Sequence, residues 1–327
     1  MLTKKLYDLC LLISTPYENL NLFSNKICDL DYHILEEIYL EKLFNFKWRE
    51  KTHSLFSNFQ FDYNYEILAQ NLEFIKIKLN LKIYFIVQNS IPNILSACIH
   101  EYIIILENSR NNFKIQFLIE NEQNSTLYNM ALNSDLSQIE HFIFSENQSL
   151  LANKISSIDL LQEIFMTSSL FFSNSSPKRN YSNFNITEAC NYAETFALKS
   201  NPNYKSFENI GGDCTNFVSQ ILYTGGIKQT KTWSPYTNSW VRAEDLYLYL
   251  TTNKLATKLP NKNSLSKGCL IQFYTPQIGK FFHNGFITYE LPNNDYLYCC
   301  HSYNKLNYPL SEIFPNKYPT LRALTIN

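Results

Sequence analysis

The stretch Gly211-Gly212-Asp213-Cys214-Thr215-Asn216-Phe217-Val218-Ser219-Gln220 decides the fold of the C-terminal half of the chain. Two consecutive glycines accept the positive φ angles of a tight turn at little steric cost. Asp213 is a preferred residue type at a helix N-cap, where its side chain accepts hydrogen bonds from the first backbone N–H groups. Apolar residues then follow at the spacing of a buried helix, namely Phe217, Val218, Ile221 and Leu222. The stretch therefore predicts a turn and then a helix whose first turn carries Cys214.

The predicted place of Cys214, on the first turn of a helix, suits a nucleophile. The helix dipole and the unsatisfied N–H groups there favour a thiolate over a thiol. The same N–H groups can form part of an oxyanion hole. The structural alternative is a small buried hydrophobe, which is the usual role of a free cysteine. The Gly-Gly-Asp-Cys context and the histidines downstream favour the nucleophile for Cys214 alone.

Composition and charge describe a globular chain of 327 residues, long enough for two domains of roughly 150 residues each. The hydrophobic content of 45% argues against disorder. The net charge is −1 without a basic block, so we expect no nucleic-acid and no membrane partner. The first twenty residues read as an amphipathic helix and not as a signal peptide. The eight cysteines have no regular spacing and form no C-x-x-C pattern, so we expect a reduced, cytoplasmic protein without a metal or other cofactor.

All seven glycines follow residue 210, and this change in composition predicts two domains. The polar, proline-containing stretch 173–180 is the predicted linker between an accessory domain at 1–172 and a catalytic domain at 181–327. In the accessory domain, helical patterns cover roughly 3–13, 30–48 and 127–172, and strands are predicted near 75–83, 97–107 and 113–120. These elements predict an α+β domain of helices on a curved sheet, comparable to the nuclear-transport-factor-like and cystatin-like folds.

The second half begins with helices and ends with strands. Asn185-Ile186-Thr187-Glu188 is a capping-box pattern, and the amphipathic helix after it should stop at Asn201-Pro202. The cysteine helix should end at Gly225-Gly226. A further helix near 242–252 and strands at 269–274, 282–290 and 295–302 complete a helix-then-sheet arrangement. The loop between contains Trp233 and Trp240, which either line a substrate groove or fill the core, the commoner role of loop aromatics.

Two histidines in this half are candidates for the base that a cysteine nucleophile requires. His283 lies on one predicted strand and His301 at the end of the next, with a hairpin turn predicted at 291–295. Because the two strands should be antiparallel neighbours, residues near 283 should lie close to those near 301–304. His301 or Asn304 could then bond to the ring of His283 and fix its tautomer. The alternative is a core histidine with a purely structural role. It is less favoured because the cysteine and both histidines occur in one half of the chain.

The block 211–220 resembles the signature of the “putative amidase domain” family of low-GC bacteria, which is similar to papain-like cell-wall cysteine peptidases and amidases. The resemblance covers about 181–327 and includes further matching stretches at 201–204, 239–241, 283 and 300–302. It implies a papain-like domain in which Cys214 is the nucleophile, His283 the base and His301 the third polar group. Asn284-Gly285 departs from the small or apolar pair expected after that histidine, so Asn304 stays an alternative to His301.

The implied reaction is acyl transfer through an acyl-thioester on Cys214. With water as acceptor the protein is an amidase or peptidase, and with an amine it is an amide-forming acyltransferase. The expected partner is an amide, a peptide or an acyl-thioester, free or bound to a carrier protein. Asp213, Tyr236, Trp240 and Phe282 are the candidate substrate-binding residues, and a water-poor groove would favour the amine. The remaining alternative is a binding protein with an inert cysteine–histidine domain.

Overall fold

The computed structural model describes residues 2–22, 32–88, 93–109, 112–133, 153–167, 183–208, 210–276 and 278–327. These residues form two compact units, one from Met1–Ile86 with Ile99–Asp159 and the other from Val87–Cys98 with Leu160–Asn327. The short segment 87–98 thus groups with the C-terminal part of the chain, which the sequence patterns did not predict. The predicted linker at 173–180 lies outside the described residues, and the division into 1–172 and 181–327 stays a prediction.

The first unit combines helices with an antiparallel sheet. Its helices are α1 (Leu2–Ser14), α2 (Tyr32–Thr52) and α3 (Ser125–Asn133), and its strands are β1 (Phe56–Gln70), β2 (Phe74–Val87), most of β3 (Ile94–Ser109) and β4 (Asn112–Glu120). Along β2 every second side chain from Ile75 to Val87 is buried, as the alternation in its sequence predicted. β3 and β4 pair antiparallel from Tyr102 opposite Glu120 to Ser109 opposite Asn112. The sequence patterns missed β1. Of the predicted helical range 127–172, residues 134–152 and 168–172 lie outside the described residues.

The second unit contains the remaining helices and a larger antiparallel sheet. The helices are α4 (Ile158–Thr167, from residue 160 onward), α5 (Ile186–Phe196), α6 (Cys214–Thr224), α7 (Asn238–Val241) and α8 (Ala243–Thr252). The strands are β5 (Ala256–Lys258), β6 (Leu270–Thr275), β7 (Lys280–Glu290), β8 (Tyr296–Cys300), β9 (Lys305–Pro309) and β10 (Leu321–Ile326). Within this unit the order is β3-β9-β8-β7-β6-β10-β5, with the first residues of β3 at one edge. Ala97 and Cys98 of β3 pair with Leu306 and Lys305 of β9.

The core of the second unit lies between its helices and one face of this sheet. Ala189 and Ala193 of α5 pack with apolar residues of α6 and α8 and with sheet residues such as Leu270 and Phe286. All described residues of α6 from Cys214 to Leu222 are buried. Asn185 caps α5 by accepting a hydrogen bond from the Glu188 N–H, as predicted. The fold is therefore mixed α/β, with helices on a large antiparallel sheet, and the predicted helix-on-sheet arrangement is confirmed.

Candidate active site

The helix that carries Cys214 begins where predicted, but Asp213 does not cap it through its side chain. Asp213 occupies the N-cap position, and its backbone carbonyl accepts from the Phe217 N–H at 2.9 Å. Its carboxylate turns instead toward other donors: the Phe207 N–H at 2.8 Å, Asn216 Nδ2 at 2.8 Å and His301 Nδ1 at 2.7 Å. The predicted capping bond is therefore wrong, because three donors from other directions already occupy the carboxylate.

His301 is the buried partner of Asp213. Its Nδ1 bonds to Asp213 Oδ2, and its Nε2 lies 2.7 Å from the Phe196 carbonyl oxygen. A carbonyl oxygen can only accept, so Nε2 carries a proton. The Asp213 carboxylate already accepts two other hydrogen bonds, and this favours a carboxylate that also accepts from Nδ1–H. Both side chains are only 2% exposed, and the imidazole stacks on Phe217 with 3.9 Å between the ring centroids.

This pairing corrects the prediction that His301 or Asn304 orients His283. Both ring nitrogens of His301 are occupied by Asp213 and Phe196. Asn304 Nδ2 donates to Glu208 Oε1 at 3.1 Å, on an exposed part of the surface. The hairpin itself is confirmed, since β7 and β8 pair antiparallel with Phe286 opposite Cys299. His301 lies beyond β8, where the chain turns toward β9, and there it meets the helix terminus.

The turn between β8 and β9 contacts both Asp213 and His283. Ser302 and Tyr303 have positive φ angles of 56° and 83°, the geometry that tight two-residue hairpin turns require. Ser302 Oγ accepts from the Asp213 N–H at 2.6 Å. The ring of Tyr303 lies 6.0 Å from the ring of His283, centroid to centroid. The turn therefore fixes the residue before Cys214 and also contacts His283.

The sulfur of Cys214 lies against the backbone of β7, and the residue is only 6% exposed. Sγ is 3.7 Å from the Phe282 carbonyl oxygen, 3.8 Å from Thr215 Oγ1 and 3.9 Å from Asn284 Nδ2. Burial raises the pKa of Cys214, while hydrogen bonds from Asn284 and Thr215 lower it. The net direction is upward, because desolvation of the charged sulfur outweighs these hydrogen bonds.

His283 lies on β7 beside this sulfur contact, because its peptide bond to Phe282 contributes the carbonyl that meets Sγ. The ring is buried and packs among aromatic side chains. It stacks on Phe273 at 5.5 Å and on Tyr318 at 5.9 Å between centroids. The side chain of the next residue, Asn284, reaches Cys214 and Thr215. Asn284 entered the sequence analysis only as a departure from a family pattern. Its polar side chain within an otherwise apolar strand was the signal that could have indicated a contact with the site.

The four predicted substrate-binding residues fall into two groups. Trp240 is fully buried, and its indole N–H donates to Asn216 Oδ1 at 2.9 Å, so it fills the core together with Trp233. Asp213 is 1% exposed and fully engaged by its donors. Tyr236 and Phe282 are exposed by 48% and 41%. These two aromatic side chains therefore remain candidates for substrate contact. The alternative prediction, that the tryptophans line a substrate groove, is wrong.

The described residues include neither a cluster of metal-ligand side chains nor a helix that could cross a membrane. No three histidine, cysteine, aspartate or glutamate side chains in this part of the chain group as metal ligands would. None of the helices described above combines the length and the apolar character needed to cross a bilayer.

Comparison with known proteins finds a family model and two relatives that match part of the chain. Residues 183–322 match the family model described as “putative amidase domain”, which confirms the resemblance carried by the cysteine block. The chain is 34% identical over 130 residues to the “Uncharacterized protein YjcM” of Bacillus subtilis (strain 168), covering 37% of this chain and 31% of that protein. It is 32% identical over 108 residues to the “Uncharacterized protein YhbB” of the same organism, covering 29% of this chain and 34% of that protein. The chain thus spans about a third of the length of these curated relatives. No solved structure matches it.

Proposed function

We propose that the C-terminal unit is a papain-like cysteine acyl-transfer enzyme that forms an acyl-thioester on Cys214 and cleaves or forms an amide bond. The observation that carries the proposal is the position of Cys214. It is the first residue of a buried helix, and its sulfur meets hydrogen-bond donors from Asn284 and Thr215. The match of residues 183–322 to the “putative amidase domain” model supports the part of the proposal that concerns an amide bond.

In the proposed reaction, His283 accepts the proton of the Cys214 thiol, and the sulfur attacks the carbonyl carbon of the substrate. The bond from that carbon to the leaving nitrogen or sulfur breaks, and the leaving group takes the proton from His283. Backbone N–H groups at the start of α6 stabilise the oxyanion, because the first N–H groups of a helix have no intrahelical acceptor. Water or an amine then attacks the thioester and regenerates the thiol.

The Asp213–His301 pair has a positioning role in this proposal. It ties the residue before Cys214 to the end of β8 through two side chains that are almost fully buried. The Ser302 hydroxyl holds the Asp213 N–H in addition. Rigid support of this kind keeps a nucleophile within the narrow range of geometries that acyl transfer requires.

The acceptor decides between hydrolysis and amide formation. The ring of Phe282 is exposed and its carbonyl lies against the sulfur, which supports a partly apolar approach where an amine competes better against water. We therefore propose both reactions as outcomes of the same acyl-enzyme. Product analysis separates them, because a thioester donor incubated with excess amine yields either the free acid or the amide.

The experiment that tests the proposal compares the wild type with His283→Asn and with His100→Asn, a histidine of the first unit. Each protein is incubated with a panel of simple amides, peptides and acyl-thioesters, and products are identified by mass spectrometry. We expect the His283 variant to lose a factor of about 10² or more in rate, the usual contribution of a positioned base. The His100 variant should keep the wild-type rate. Equal rates in all three proteins would contradict His283 as the base, and no product from any donor would favour the binding-protein alternative.

A further inference from the structure

A series of hydrogen-bonded polar side chains runs from Arg322 of β10 to the sulfur of Cys214. Arg322 Nε bonds to Gln272 Oε1 at 2.6 Å, and Gln272 Nε2 bonds to Asn284 Oδ1 at 2.6 Å. Asn284 Nδ2 then lies 2.6 Å from Thr215 Oγ1 and 3.9 Å from Cys214 Sγ. Gln272 and Asn284 are both fully buried. Arg322, Gln272 and Asn284 were not predicted as part of the site.

The direction of this series is fixed by its first member. A guanidinium can only donate, so the oxygen of Gln272 faces Arg322 and its NH₂ group faces the other way. The Ala243 carbonyl, which can only accept, lies 2.9 Å from the same Nε2 and fixes the same orientation independently. The Gln272 NH₂ group therefore requires the oxygen of Asn284, and this turns the Asn284 NH₂ group toward Thr215 and Cys214.

Arg322 is itself held in place. Its Nη2 bonds to Glu244 Oε2 at 3.0 Å. Its guanidinium carbon lies 3.7 Å from the ring centroid of Tyr247 and 4.1 Å from that of Phe281, which encloses the cation between two aromatic faces. The other carboxylate oxygen of Glu244 accepts from the Phe281 N–H at 3.2 Å. Because Arg322 is held in place, the direction of donation is fixed along the whole series of hydrogen bonds from Arg322 to Asn284.

We propose that Asn284 is a catalytic residue that donates a hydrogen bond to the Cys214 thiolate, and that Gln272 and Arg322 are positioning residues that fix the direction of this donor. The inference rests on the proposed function of Cys214 as nucleophile. In a buried site the thiolate needs donors in place of water. The side-chain NH₂ group of Asn284 is such a donor, and it adds no charge of its own.

The decisive variant is Gln272→Glu, which keeps the shape of the side chain and reverses its polarity toward Asn284. The new carboxylate still accepts from Arg322, but it cannot donate to Asn284 Oδ1. The Asn284 amide then turns its NH₂ group toward residue 272 and its oxygen toward Cys214. Gln220→Glu is the matched control: Gln220 is buried on the same helix as Cys214, and its Oε1 accepts from the Tyr192 hydroxyl at 2.6 Å, a role that a carboxylate keeps.

The measurement is the pH dependence of Cys214 alkylation by iodoacetamide, read by peptide mass spectrometry without any substrate. We expect Gln272→Glu to raise the alkylation midpoint by about one pH unit or more, the size expected for losing a hydrogen bond to a charged group. Gln220→Glu should stay within about half a unit of the wild type. Tryptophan emission, from Trp233 and Trp240 in the core of this unit, reports whether each variant is folded.

Asn284→Asp is the second variant, and it decides the question if Gln272→Glu does not fold. It places an acceptor oxygen at the sulfur, so we expect a shift in the same direction and at least as large. Midpoints equal to that of the Gln220 control in the folded variants would overturn the proposal. Because alkylation needs no turnover, this outcome differs from failure of the proposed function, in which the midpoints shift as expected but no acyl group from any donor is transferred.

Discussion

Replacing Asp213 with alanine is expected to destabilise the second unit strongly and to loosen the helix terminus that carries Cys214. The Asp213 carboxylate accepts from a backbone N–H, from Asn216 and from His301, all at 2.7 to 2.8 Å. The variant removes all three acceptor contacts at once. It leaves the His301 ring buried opposite an empty space, with the Nδ1 proton unpaired.

The magnitude follows from the burial of the pair. Both side chains are 2% exposed, so solvent does not screen their interaction. Leaving a buried hydrogen-bonding group without its partner costs about 1–3 kcal/mol, and the Asp213 carboxylate serves three such groups. The three losses share one site and do not add independently. We therefore expect the free energy of unfolding to fall by about 3–5 kcal/mol in Asp213→Ala.

Two further variants sharpen this prediction. Asp213→Asn keeps an oxygen for Phe207 and Asn216, and its NH₂ group can donate to a neutral His301, so we expect a smaller loss of about 1–2 kcal/mol. Asp245→Ala is the control: this carboxylate lies on the surface of the same unit, 3.9 Å from Arg242. Its removal should cost about 0–1 kcal/mol, the range of exposed ion pairs.

The assay is urea unfolding followed by tryptophan emission, since Trp233 and Trp240 both lie in the core of this unit. The expected order of stability is wild type and Asp245→Ala, then Asp213→Asn, then Asp213→Ala. A loss below about 1 kcal/mol in Asp213→Ala, no larger than that of the surface control, would refute the reasoning that the buried pair secures the helix terminus.

Two other predictions concern groups away from the sulfur. Burial raises the pKa of Asp295 to about 6, so the folded state holds this proton more tightly than the unfolded state does, and the stabilisation is lost as pH rises through about 6. In urea titrations, the free energy of unfolding of Asp295→Asn should therefore rise by about 2–3 kcal/mol relative to that of the wild type between pH 4 and pH 7. A difference that stays constant over this range would contradict the prediction. A Cβ at Gly225 would lie 2.1 Å from the Phe184 ring, so Gly225→Ala should lower the free energy of unfolding by about 1–3 kcal/mol, whereas an unchanged urea midpoint would show that the ring moves without cost.

The local elements of the fold were largely predictable because their signals are local. The alternation along β2 and the Asn185–Glu188 cap each involve residues within a few positions of one another. β1 was missed although Phe59, Phe61 and further apolar residues alternate with polar ones along it. All of its side chains are half-buried or exposed, and its many polar residues hid the alternation.

The site was predictable only in part, because its decisive contacts join distant residues. The helix start at Cys214 follows from the adjacent glycines and apolar spacing, and it was predicted. The partner of Asp213 is 88 positions away, and a good N-cap residue type gave no sign that its carboxylate would turn to His301. Desolvation of Cys214 likewise depends on β7 packing against the helix, which spacing along the chain does not encode.

The role of Trp240 illustrates how loop sequence misleads. The loop from Trp233 to Trp240 is polar, and this kept an exposed groove open as an alternative to the commoner core role. The structure buries both indoles: that of Trp233 stacks on Tyr249, and that of Trp240 donates its N–H to Asn216 of the cysteine helix. A polar partner inside the core allowed the large side chain to be buried without an unpaired donor.

The most direct test of the central claim is intact-protein mass spectrometry of the wild type, Cys214→Ala and Cys269→Ala, each mixed with an acyl-thioester donor. Cys269 is a buried cysteine of the same unit and serves as the matched control. The account predicts a covalent acyl adduct on the wild type and on Cys269→Ala, and none on Cys214→Ala. An adduct or full turnover that persists in Cys214→Ala would contradict the assignment of Cys214 as the nucleophile.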